Sequence, residues 1–159
     1  MKTIVVFYSL DGNTAYAANE IAQRLGAETF RIYPVKDYPS SASKFFWGGK
    51  DVLFGEKPKL KNDNFTPHAY DKIVVGTPLW AGNLTPPVRS FLSMYALGNQ
   101  CAGFFVCGGG GNTDRCFSSL KKLAGCGEIP LLSLVNPAKN KKEEDLAAID
   151  LFCKQIADL

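Results

Sequence analysis

Five short apolar runs alternating with amphipathic stretches of helical spacing constrain this chain more than any other feature. The runs are Thr3 to Tyr8, Thr29 to Tyr33, Lys72 to Gly76, Gly103 to Cys107 and Pro130 to Val135. Strands that alternate with helices form a parallel sheet covered on both faces, so the chain reads as α/β with five buried strands. The first helix is marked by Ala15, Ala18, Ile21, Ala22 and Leu25, whose small members permit close packing on a sheet, and Gly26 closes it. Thr85 is placed to cap a second, which starts with Pro86 and Pro87 and carries Val88, Phe91, Leu92 and Tyr95 on one face. Thr113 or Asn112 can cap a third, burying Phe117, Leu120 and Leu123 and showing Lys121 and Lys122 to water. The last has Glu143, Glu144 and Asp145 in its first turn, where they suit the helix dipole, then Leu146, Ile149, Phe152, Cys153 and Ile156 facing inward.

Between Tyr33 and Tyr70 the pattern weakens. Pro34, Pro39, Pro58 and Pro67, the Gly48–Gly49 pair, and Lys57, Lys59 and Lys61 read as a long irregular crossover. Phe45, Phe46, Trp47 and Phe54 are expected to pin it to the body of the domain.

With 159 residues, 46% of them hydrophobic, the chain suits one domain spanning 1–159. No apolar segment reaches the length of a membrane span or a signal-peptide core, so no membrane insertion and a cytoplasmic location are expected. Five cysteines without a C-x-x-C pair, and a single histidine, His68, read as reduced thiols rather than as a metal site. Lys and Arg outnumber Asp and Glu by 18 to 15, a net charge of +3 that is too small and dispersed for a nucleic-acid surface.

Ligands of open α/β sheets bind outside the carboxyl ends of the strands, where successive connections turn to opposite faces. Three loops fall there. The first is Ser9, Leu10, Asp11, Gly12, Asn13 and Thr14, hydroxyl and amide groups around a glycine at a helix start. Such a loop suits a phosphate cradle, although by itself it serves equally as an ordinary capped turn. It lacks the G-K-[ST] ending of a triphosphate-binding loop. The second is Thr77, Pro78, Leu79, Trp80, Ala81, Gly82 and Asn83, which presents a tryptophan that can stack on a planar ring or fold back into the core. The third is Gly108, Gly109, Gly110 and Gly111, which offers bare backbone for the edge of a flat ligand or forms a surface turn. The glycines have no G-x-G-x-x-G spacing. Cys107 stands eight residues before Arg115, which excludes a C-x5-R phosphatase loop, and reads as a strand-end core residue with a redox part beside a cofactor as the alternative.

Together these loops resemble the flavodoxin family over nearly the whole chain. Ser9 to Thr14 is similar to the family's S-x-T-G-N-T phosphate motif except at Asp11, and Thr77 to Gly82 is similar to its T-P-[IL]-W-x-G form. The resemblance implies a three-layer α/β/α sandwich with strand order 2-1-3-4-5. It implies FMN as cofactor, held by Ser9 to Thr14, Thr77 to Asn83 and Cys107 to Gly111, and redox partner proteins, a reductase and an acceptor. It also implies that the Gly82 peptide can turn its carbonyl toward reduced flavin. A carboxylate at Asp11 about 4 Å from a phosphate would repel each unit of charge by about 4 kcal/mol at an effective dielectric of 20, so its side chain is expected to turn away. Many flavodoxins are strongly acidic and this chain is slightly basic, which leaves partner choice open. Electron carriage is the leading function. An NAD(P)H-dependent quinone reductase, with Lys57, Lys59 and Lys61 attracting the nucleotide, is the alternative, and a flavin-free interaction module on the same fold is a third.

Overall fold

A computed structural model of the chain describes residues 1–39, 50–52 and 55–159. Phe45, Phe46, Trp47, Phe54 and the Gly48–Gly49 pair lie outside the described residues. The parallel strands are β1 (Thr3–Phe7), β2 (Glu28–Arg31), β3 (Lys72–Trp80), β5 (Cys101–Gly108) and β6 (Leu131–Val135), in the order β2-β1-β3-β5-β6. Counted as parallel strands alone this is the expected 2-1-3-4-5. A two-residue strand β4 (Asn83–Leu84) folds back antiparallel on the end of β3. The helices are α1 (Asn13–Leu25), α2 (Pro86–Met94), α3 (Asp114–Ala124), the short α4 (Pro137–Asn140) and α5 (Glu143–Ala157).

The strand period of two sorts the side chains to opposite faces. Ile4, Val6, Ile73, Val75, Phe104 and Val106 pack with Val88 and Phe91 of α2 and Phe117 and Leu120 of α3. Val5, Phe7, Val74 and Phe105 pack with Ala18 and Ile21 of α1 and Ile149 and Phe152 of α5. On this second face Phe105 lies across Gly76 of the neighbouring strand. A Cβ at Gly76 would stand 2.0 Å from the Phe105 ring, so only glycine lets that aromatic cover the sheet.

Three expectations are corrected. The third strand does not end at Gly76 but runs on through Thr77, Pro78, Leu79 and Trp80, because Thr77 and Pro78 pair with β5 and Leu79 and Trp80 pair with β4. Proline is tolerated there for a positional reason. The Tyr8 N–H donates to the Gly76 carbonyl at 3.3 Å, so the two-residue period directs Pro78's absent N–H to the same side, beyond the last β1 pair, Phe7 with Gly76. The outer strands are buried on one face at most: Leu131, Ser133 and Val135 of β6 are exposed, as are Glu28 and Thr29 of β2. Finally, Thr85 stands at a helix N-cap without a side-chain capping bond, and of the two candidates at the next helix, Thr113 and Asn112, Thr113 makes none. The Asn112 Oδ1 accepts the Asp114 N–H at 2.8 Å instead.

Among the described residues of the crossover after β2, residues 50–52 are helical and Pro67–Ala69 form a 3₁₀ turn, and the segment is tied by an antiparallel bridge between Pro34 and Leu60 and anchored by buried Leu60 and Phe65. Lys57, Lys59, Lys61 and His68 are exposed. Among the described residues no helix is long and apolar enough to cross a membrane.

Candidate functional site

The first connection leaves β1 at Ser9 and enters α1 behind Gly12, whose φ of +94° is a left-handed conformation that favours glycine. No side chain caps α1 from that position. Ser9 and Thr14 are only 2% and 0% exposed, and neither Ser9 Oγ nor Thr14 Oγ1 has a nitrogen or oxygen partner. The Thr14 hydroxyl adjoins the Cys107 thiol, a weak partner. Buried hydroxyls are ordinarily hydrogen-bonded, and leaving one unpaired costs about 1–3 kcal/mol. Two such groups stand at the start of one helix, where backbone N–H groups and the dipole favour negative charge, and an anionic oxygen-rich group would satisfy them.

Two side chains of this loop differ from expectation. The Asp11 carboxylate does not turn away from the helix end: Oδ1 accepts the Asn13 N–H at 3.2 Å, because an exposed N-terminal amide is the nearest donor. The Asn13 side chain reaches across to α4, where its Oδ1 accepts the Ala138 N–H at 3.1 Å, and so ties the loop to the connection after β6.

Arg31, which sequence reasoning passed over, ends β2 beside this loop. Its Nη2 donates to the Ser9 carbonyl at 2.8 Å, and its buried Nε has no partner. The signal that could have found it is the strand order, which sets the end of the second strand beside the end of the first.

Trp80 stands at the tip of the β3–β4 hairpin. Ala81 (φ 48°) and Gly82 (φ 71°) make its two-residue turn, both left-handed as a type I′ turn requires. The half-buried Trp80 ring meets Tyr8 at 5.9 Å and Tyr38 at 5.0 Å, each nearly perpendicular to it. The Tyr8 hydroxyl donates to Asp37 at 2.7 Å and the Tyr38 hydroxyl to Asp51 at 2.9 Å. Burial first, and the carboxylate partner second, push both phenols well above their ordinary range. Thr77, Pro78 and Asn83 stand behind this rim. Thr77 Oγ1 accepts the Thr85 N–H at 3.1 Å and lies 3.2 Å from the Thr85 hydroxyl, while Asn83 Oδ1 accepts the Leu84 N–H. They hold the hairpin on α2.

The third connection is pressed against the second. A Cβ at Gly108 would lie 2.9 Å from Leu79 Cβ, so glycine permits the ends of β5 and β3 to touch. Gly109, Gly110 and Gly111 are exposed, the last two at φ 110° and 106°. Cys107 is buried in the core beneath, and burial pushes its thiol up to about 12 against the Thr14 hydroxyl, with the Asp11 and Asp145 carboxylates adding to the rise. A thiol so placed is a residue of the core. Leu10 packs half-buried between the loop and the apolar cluster. Beside the hairpin lies a cavity of about 460 Å³ lined by Lys36, Asp37, Tyr38, Pro39, Asp51 and Pro58, a feature of the crossover with no signal in the sequence.

A parallel sheet with helices on both faces, a loop of buried hydroxyls after its first strand and an aromatic hairpin after its third make an open α/β fold, of the class whose ligands bind at the carboxyl ends of the strands. The chain belongs to the Flavodoxin family, whose sequence model matches residues 2–144. No curated protein matches it. Among solved structures it is similar to a candidate flavoprotein from Bacteroides eggerthii (21% identity, 98% of each chain, TM-score 0.80). It is also similar to a flavoprotein in complex with FMN from Lactobacillus acidophilus (20% identity, 88% of this chain and 97% of that one, TM-score 0.69). A third is oxidised flavodoxin 2 from Bacillus cereus (19% identity, 99% of each chain, TM-score 0.63). At these identities the likeness is one of fold.

Proposed function

We propose that this chain binds FMN without a covalent link and carries electrons between a separate reductase and an acceptor. The observation that carries the reading is the pair of buried hydroxyls without a nitrogen or oxygen partner, Ser9 Oγ and Thr14 Oγ1, at the start of α1. They would hold the phosphate together with backbone N–H groups of residues 10–14, and the Arg31 guanidinium, fixed on the Ser9 carbonyl, would add positive charge. Trp80 and the Ala81–Gly82 turn would border one side of the ring system and Gly109 to Gly111 the other. Bound FMN supplies one- and two-electron redox chemistry; the chain holds and orients it and excludes water. The Tyr8 and Tyr38 hydroxyls donate to the Asp37 and Asp51 carboxylates, which brace the aromatic rim.

Absorbance of the purified protein and its titration with FMN and riboflavin test the reading. Ser9→Ala and Thr14→Ala should each weaken FMN by about 10- to 100-fold, the value of a charge-assisted hydrogen bond, and leave riboflavin nearly unchanged. Equal losses for both ligands would place the phosphate elsewhere.

The exposed third loop favours a second reading, an NAD(P)H-dependent quinone reductase with its acceptor entering over Gly109 to Gly111. Rapid bleaching of the flavin by NADH or NADPH alone would promote it over the carrier.

A further inference from the structure

All five cysteines are free thiols, and they differ sharply in access. Cys101, Cys107, Cys116 and Cys153 are buried, whereas Cys126 is half-exposed. Cys101 opens β5 at the end of the sheet opposite Gly108. The chain then crosses over and returns along α3, which ends at Ala124, and Gly125 at φ 69° turns it back toward the sheet. This path sets Cys126 against the apolar cluster that contains Cys101, with the two thiols side by side. The backbone fixes the placement, since the Gly125 and Cys126 N–H groups both donate to the Lys121 carbonyl, at 3.0 and 3.3 Å.

Access divides the roles of the two sulfurs, Cys126 being half-exposed and Cys101 buried. The Cys101 thiol donates toward Cys126, and the Lys121 ammonium lies near, which together hold the Cys126 thiol below its ordinary value against burial and the Glu128 carboxylate. The same contact and its own burial push Cys101 far up. Lys121 and Glu128 are ion-paired at 2.8 Å, and the Cys126 thiol itself reaches the Lys121 carbonyl at 3.9 Å. The thiolate is the nucleophile of thiol chemistry, so the accessible member of the pair attacks and the buried one resolves.

We propose that Cys126 and Cys101 form a reversible dithiol–disulfide couple oxidised by peroxides. The Cys126 thiolate attacks one peroxide oxygen and the O–O bond breaks. A sulfenic acid forms on Cys126, and the departing hydroxide leaves as water after taking a proton. The Cys101 sulfur then attacks the Cys126 sulfur, forming the S–S bond and expelling hydroxide, which takes the Cys101 proton and leaves as a second water. Two thiols thereby lose two electrons and two protons, and one peroxide becomes two waters. A small dithiol reverses the reaction by exchange. The couple lies a full strand away from the proposed flavin seat: β5 spans 8 residues, or about 23 Å at a strand's rise, between Cys101 and Gly108. Its chemistry is therefore independent of that seat.

The test treats the purified protein with hydrogen peroxide, blocks remaining thiols with an alkylating agent in denaturant, and maps peptides without reduction. Two of the five thiols should be lost in the parent, with a Cys101–Cys126 linked peptide that dithiothreitol removes. Cys126→Ser should abolish that loss. Cys101→Ser, or Cys101→Ala where serine unfolds the chain, should stop at a Cys126 sulfenic acid that dimedone traps. Parent protein that yields Cys126 sulfinic acid without a linked peptide, a link between two chains, or no oxidation of Cys126 would overturn the proposal.

Discussion

The loop after β1 and the hairpin after β3 face the same crevice, yet they are finished to different degrees. In the hairpin both buried polar side chains have partners: Thr77 with Thr85 and Asn83 with Leu84. In the first loop Ser9 and Thr14 are as deeply buried and have no nitrogen or oxygen partner, Thr14 meeting only the Cys107 thiol. Burial alone therefore does not tell wall from seat. The hydrogen-bond account does, because a folded chain leaves a buried hydroxyl unpaired at a cost that a ligand can later offset.

Substitutions on the two sides should give opposite signs, and the largest effect is expected in the wall. Thr77→Val removes the acceptor of the Thr85 N–H and strands two groups, so chemical denaturation of flavin-free protein should show a loss of about 1–3 kcal/mol. Flavin affinity should change little once unfolding is accounted for. In the seat, Thr14→Val replaces an unpartnered buried hydroxyl with a methyl group of similar shape. The flavin-free protein should then gain on the order of 1 kcal/mol in the same measurement. A loss of stability there would mean that the Thr14 hydroxyl is satisfied without ligand and would erase the contrast.

The smallest effect belongs to Asp11, which borrows the Asn13 N–H from the seat. Asp11→Asn should tighten FMN by only a few-fold relative to riboflavin, since the carboxylate is exposed and screened, and the gain should shrink as salt rises. An unchanged ratio of the two affinities across ionic strength would show that Asp11 does not compete with phosphate.

Much of this was legible before any coordinates. The periods of the apolar runs gave strands and helices in their observed order, and the glycine turn of residues 9–14 stood out by composition and position. Local patterns of this kind are readable because spacing along a strand or helix maps directly to a face. The strand extension past Gly76 was hidden by Pro78, which reads as a breaker unless the neighbour facing its missing N–H has already ended. The thiol of Cys107 stands at a strand end, and its burial beneath the loop was not readable from its position alone.

By itself, then, the sequence determined the alternation of elements and the sheet's helical cover, since each follows from residues near one another along the chain. Tertiary structure decided which groups meet. Arg31 reaches Ser9 only through the register of β1 with β2, and Tyr38 braces Trp80 only because the crossover folds over the hairpin. Cys126 comes to rest beside Cys101 by the return of α3 along β5. Such pairings join residues distant in sequence, and the free energy that selects them is that of packing and hydrogen bonding in the whole fold, which no local pattern carries.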